Sequence, residues 1–141
     1  MIVKPFGELQ FHKKDKEWSG QVGNISPEDK VELSICVDSY RDDLSDKIAS
    51  IRKFASDYRA VIEKLYMLAY IKYQNTPWEK PLDEIKKMYL LAAVTLKSDN
   101  KTWWLVLEPA LDTASIYNQL LRFTMIDNEI VWANFDIKTV T

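Results

Sequence analysis

The stretch VELSICVDSYRDDLSDKIASIRKFASDYRAVIEKLYMLA, residues 31–69, changes its hydrophobic period once, at Ser39. Before that point Val31, Leu33, Ile35 and Val37 alternate with Glu32, Ser34, Cys36 and Asp38. Successive strand side chains point to opposite faces, so this is a strand with one apolar face. Beyond it Leu44, Ile48, Ile51, Ala55, Tyr58, Ile62, Leu65 and Ala69 recur at spacings of three and four, the stripe of an amphipathic helix. Ser39 and Asp42 resemble a capping pair, and Asp42, Asp43 and Asp46 crowd the first turns, where the helix dipole favours negative charge. The spacing predicts one long helix from Ser39 to about Gln74, stopped by Asn75-Thr76-Pro77. At about 1.5 Å per residue it would run about 50 Å, more than the width of a domain of this size, so a bend, a break or a protruding end is expected.

The flanks of this stretch read as strands. Towards the N-terminus Leu9 and Phe11 alternate with Glu8 and Gln10, a polar loop through Lys13–Glu17 leads to Trp18, Gly20 and Val22, and Asn24–Asp29 is a turn signal. Towards the C-terminus Leu82–Lys87 adds a short helical turn. The apolar runs Met88–Leu96 and Trp103–Leu107 surround the polar turn Lys97–Lys101 and predict a hairpin buried on both faces, central in the sheet. Asp112–Asn118 is a connector with room for a short helix. A two-residue turn at Asp127-Asn128 would pair Met125 with Ile130, Thr124 with Val131, Phe123 with Trp132 and Arg122 with Ala133. That register makes Leu121, Phe123, Met125, Ile130 and Trp132 the core face and leaves Arg122, Thr124, Glu129 and Val131 on the other. The chain reads as a single α+β domain over residues 1–141, ordered βββ-α-ββ-ββ, with an antiparallel or mixed sheet packed on one long amphipathic helix.

Composition narrows the function classes. With 47% apolar and 28% charged residues the 141-residue chain has the balance of a globular protein rather than a disordered one. No run approaches the roughly 18–20 apolar residues of a membrane helix, and the start Met1–Phe6 lacks the basic-then-apolar layout of a secretory signal, so a cytoplasmic protein without a membrane partner is expected. A net charge of −2 offers no basic field for nucleic acid. The acid is concentrated late: from Thr102 onward only Arg122 and Lys138 stand against Glu108, Asp112, Asp127, Glu129 and Asp136.

Few residues suit catalysis. The single histidine, His12, and the single cysteine, Cys36, would form a dyad only if their strands were adjacent. Asp42, Asp43 and Asp46 offer oxygen ligands to Mg²⁺ or Ca²⁺, but helix capping explains all three without a metal. Glu108 and Asp112 flank Pro109 at a strand end, where acid–base pairs sit and where solvated loops sit too. There is no Cys/His cluster, P-loop or GxGxxG, so neither cofactor nor metal is expected. Aromatic residues are the other signal: Trp103 and Trp104 are adjacent in a strand and must point to opposite faces. Glu108, Asp112, Asp127 and Glu129, with Trp103 or Trp104 as the aromatic anchor, suit part of a surface for a basic protein.

The opening Phe6-Gly7-Glu8-Leu9, then Trp18-Ser19-Gly20, then an alternating strand entering a helix, resembles a loose group of small bacterial proteins of unknown function. Trp104-Leu105-Val106-Leu107-Glu108-Pro109, Leu121-Arg122-Phe123 and Glu129-Ile130-Val131-Trp132 are similar to the last strands of that group. Many of its members are encoded beside polymorphic or contact-dependent inhibition toxins and are regarded as immunity proteins. The resemblance implies a non-enzymatic, cytoplasmic protein that neutralises a toxin by direct binding, and it carries no catalytic motif. The alternative expectation is a small-ligand-binding or enzymatic domain with a pocket between helix and sheet.

Overall fold

A computed structural model of the chain describes residues 1–27 and 29–135. Glu28 in the predicted turn, and Asp136 and Lys138 in the C-terminal charge pattern, lie outside the described residues. The elements in order are β1 (Ile2–Val3), β2 (Gly7–Glu8), β3 (Gln10–His12), β4 (Glu17–Val22), β5 (Val31–Cys36), α1 (Ser45–Ser56), α2 (Tyr58–Tyr73), α3 (Leu82–Met88), β6 (Tyr89–Leu96), β7 (Thr102–Pro109), a 3₁₀ turn at Ser115–Tyr117, β8 (Leu121–Ile126) and β9 (Glu129–Phe135). Strands β3 to β9 form one seven-stranded sheet whose spatial order is the chain order. Every neighbouring pair is antiparallel except β5 and β6, which run parallel because the helices carry the chain back across the sheet. The architecture is therefore α+β with a mixed sheet. The small β1–β2 ribbon lies against β4 at Gly20, where an added Cβ would stand 2.4 Å from the Glu8 carbonyl oxygen.

All three helices lie over one face. Val31, Leu33 and Ile35 of β5 share it with Val94 and Leu96 of β6, Trp103, Leu105 and Leu107 of β7, and Leu121, Phe123 and Met125 of β8, all buried. Ile51 and Phe54 of α1, Tyr58, Val61, Ile62, Leu65, Ala69 and Tyr73 of α2, and Ile85 of α3 complete the core. Phe54 stacks on Trp103 with ring centroids 4.9 Å apart, which fixes the side of the sheet that α1 covers.

The predicted long helix is two helices. The break falls at Asp57, whose φ of −92° and ψ of 5° leave the helical basin. Ser56 Oγ donates to the Lys53 carbonyl at 2.8 Å and Lys53 pairs with Asp57, so short polar side chains compete with the helical ladder there. The start is also later than predicted, at Ser45. Ser39, Asp42 and Asp43 serve the preceding loop: the Asp38 amide donates to Asp42, the Arg41 amide to Ser39, and the Ser45 amide and hydroxyl to Asp43. Those bonds pull the Asp43 carboxyl below its ordinary value.

Two polar clusters tie the helices to the strands. Buried Lys47 of α1 donates to the Ser98 carbonyl at 3.2 Å and to Asn100 Oδ1, pinning the β6–β7 turn. Asp99 holds that turn by accepting from Lys101 and Thr102, and the bonds draw its carboxyl down to about 2. At the far end of α2 the Tyr73 and Tyr89 hydroxyls lie 2.6 Å apart, and Tyr89 donates to the Tyr117 carbonyl. The Tyr117 hydroxyl donates to the Trp78 carbonyl at 2.8 Å, which brings the Trp78 loop against the core. Among the described residues no helix is long and apolar enough to cross a membrane.

Candidate functional site: the uncovered sheet face

Among the described residues no helix covers the second face of the sheet. Strand alternation places on it whatever does not face the helices, and the register lines those residues up in rows. One row crosses all seven strands: Gln10, Ser19, Ser34, Thr95, Trp104, Thr124 and Trp132. It grades from amide and hydroxyl groups to two indoles. Trp104 is 50% exposed and Trp132 53% exposed, with half-buried Thr124 directly between them. Lys97, at the end of β6, sets its ammonium 3.6 Å from the centroid of the Trp104 ring, a close cation–π contact. The carboxylates on this face, Glu17, Glu32, Glu108 and Glu129, outnumber its cations Lys97 and Arg122.

The polar end of the face is concave. A trough of about 390 Å³ is lined by Glu8, Gln10, His12, Ser19, Gly20, Gln21 and Glu32. The short Ser19 side chain between Gln10 and Ser34 leaves this end of the face low.

Trp103 and Trp104 do point to opposite faces, and the covered one is Trp103: it is 8% exposed and stacked on Phe54, so it is a core residue and no surface anchor. Trp104, Glu108 and Glu129 share the uncovered face. Asp127 sits instead at the β8–β9 turn, beside a recess of about 170 Å³ lined by Phe54, Asp57, Lys101 and Trp103. Asp112 lies in the loop after β7, at a cleft of about 290 Å³ with Lys80, Glu84, Lys87 and Tyr117. The six predicted residues are therefore not one patch. The recess lies between helix and sheet, where the alternative expectation places a pocket.

Trp132 was expected in the core and is on the surface. The turn at Asp127-Asn128 is as predicted, with φ of 52° and 62° giving a hairpin turn, and Met125 pairs with Ile130. The ladder then shifts: Thr124 faces Trp132 and Phe123 faces Ala133, leaving Val131 as an extra residue. That bulge turns Trp132 outward. Strands β6 and β7 are central as predicted, yet only one of their faces is buried, because all the helices lie on the same side of the sheet.

His12 and Cys36 are not on adjacent strands. Glu17 pairs with both, on the strand between them, so the two lie about 10 Å apart across two strand spacings. Burial raises the Cys36 thiol, with Lys97 acting in the opposite direction, which disfavours the thiolate a nucleophile needs. Among the described residues no group of three or more His, Cys, Asp or Glu is arranged to hold a metal ion. A second aromatic group, Phe11, Trp18 and Tyr40, packs its three rings on one another at centroid distances of 5.1 to 5.5 Å on the helix side of the first strands. Compared with protein-family models, with curated proteins and with solved structures, the chain matches none.

Proposed function

We propose that the chain is a non-enzymatic protein-binding domain, that the uncovered sheet face is its contact surface, and that its partner is a basic protein. The observation that carries this is the pair of half-exposed indoles on one row of a face that no helix covers among the described residues, with an excess of carboxylates. Large rigid aromatics supply contact area at low entropic cost, and the acid around them steers a cationic partner. In its sharpest form the protein is a cytoplasmic immunity protein that covers a bacterial toxin domain and needs no cofactor.

The test is the binding kinetics of the neighbouring gene's product at two ionic strengths. Reversing charge at Glu108 and Glu129 should slow association several-fold at low salt and less at high salt, as screening takes over. Trp132→Ala should act on dissociation, speeding it about tenfold or more, the scale of an interface anchor. Reversal at Asp112 or Asp127, away from the face, should do less. A partner that binds unchanged to all of these variants would move the contact off this face.

A further inference from the structure

We infer that the gap between Trp104 and Trp132 is a seat for one arginine side chain of the partner protein; this rests on the uncovered face being the contact surface. Trp104, Thr124 and Trp132 are directly paired on three consecutive strands. Two strand spacings of about 4.8 Å put the two tryptophan Cα atoms about 10 Å apart, and strand side chains stand roughly perpendicular to the sheet. Two half-exposed indoles flank the shorter, half-buried Thr124, and the space above Thr124 is the slot meant here.

Two cations, Lys97 and Arg122, and one carboxylate, Glu129, stand around the slot, so the indole faces and Glu129 are what favour a guanidinium there. The chain's own Lys97 already lies over Trp104 at 3.6 Å, reaching it from the β6 side, so this ring holds a cation where one is within reach. The side towards β8 and β9 belongs to the slot. Glu129, opposite Ile126, stands at one end on the same face, and Arg122, opposite Val106, stands at the other. Glu108 follows two residues beyond Val106. A guanidinium entering the slot is repelled from the Arg122 end and drawn to the Glu129 end. Arginine suits this better than lysine: its plane stacks against an indole while its fork of N–H donors serves the Thr124 hydroxyl and the Glu129 carboxylate together.

The experiment follows the indole N–H signals of the ¹⁵N-labelled full chain while an acetylated, amidated Gly-Arg-Gly peptide is added. The Trp104 and Trp132 signals should shift saturably, and those of Trp18, Trp78 and Trp103 should not. The Gly-Lys-Gly counterpart should bind several-fold more weakly, Trp132→Ala should abolish the Trp104 shift, and Trp132→Phe should restore part of it. Peptide that moves neither indole, or moves Trp104 equally in Trp132→Ala, overturns the slot. So does a short oligothymidylate or a cello-oligosaccharide that shifts both indoles where the arginine peptide does not. If the neighbouring gene product loses affinity on Trp132→Ala and Glu129→Lys while the peptide moves nothing, the slot falls and the contact surface stands. If that product ignores both variants, the contact surface itself falls, whatever the peptide does.

Discussion

Trp103 and Trp104 are joined by one peptide bond and live in different solvents. Trp103 stacks on Phe54 beneath α1, while Trp104 stands half in water with a lysine over its ring. The same division runs across the whole sheet. On the helix side, apolar side chains from six strands, three helices and the 3₁₀ turn close into one core. On the other side, small hydroxyl residues, carboxylates and two indoles meet no helix among the described residues. Burial therefore sets stability on one face and leaves the other free to be chosen for binding, so one strand answers to two separate demands in alternate residues.

The comparison breaks most visibly at Trp103. Trp103→Ala should cost about 3–5 kcal/mol, the range for deleting a buried aromatic, read as a lower denaturation midpoint. A midpoint that barely moves would mean the covered face is not the core.

A smaller effect is expected from the tyrosine cluster that closes the core at the end of α2. Tyr89→Phe should cost about 1–3 kcal/mol, because Tyr73 and the Tyr117 carbonyl lose a buried partner. Burial raises the Tyr89 and Tyr73 hydroxyls above their ordinary value of about 10. Above that pH the unfolded chain has released these protons and the folded chain still holds them. The stability present below pH 10 should then fall as pH rises, by up to about 1.4 kcal/mol per pH unit for each tyrosine. Urea titrations at pH 9 and 11 should show a shallower fall in Tyr89→Phe; equal slopes would place the hydroxyl in water.

Deleting Val131 sharpens the comparison at the bulge. The extra residue is 55% exposed and unpaired, so its removal should leave Thr124 opposite Trp132 and cost about 1 kcal/mol or less. In a regular ladder the same deletion would swing Trp132 from core to solvent and cost several times more. Trp104→Ala should do least, within about 0.5 kcal/mol, as for other exposed positions. A large loss there would reveal a layer over the second face.

The strands were legible because period-2 patterning follows directly from which face is buried. Val31, Leu33 and Ile35 announce their side in the sequence alone, and so does the stripe from Ile48 to Ala69. The helix break was not legible, because Ser56-Asp57 interrupts the hydrogen-bond ladder without interrupting the apolar stripe. Nor was the Val131 bulge, since Ile130, Val131 and Trp132 form an unbroken apolar run in which either register satisfies the pattern. Of the candidate site, Trp104, Glu108 and Glu129 were accessible from the sequence. The row joining Gln10 to Trp132 depends on strand order, which one chain's composition does not encode.

Strand order also dictates when the parts of this sheet come together. Each antiparallel pair joins segments that are close along the chain, from β3–β4 across residues 13–16 to β8–β9 across Asp127-Asn128. The parallel seam between β5 and β6 must close a loop spanning the whole 37–88 stretch, helices included. Loop entropy makes such a contact the dearest to form early, so the two meanders are expected to assemble first and the helical segment to dock them afterwards. Leu33→Ala, at the seam, should mainly speed unfolding, while Phe123→Ala, inside the second meander, should mainly slow folding. Chevron plots of the two variants separate these cases, and equal effects on both arms would mean that the sheet nucleates as one piece.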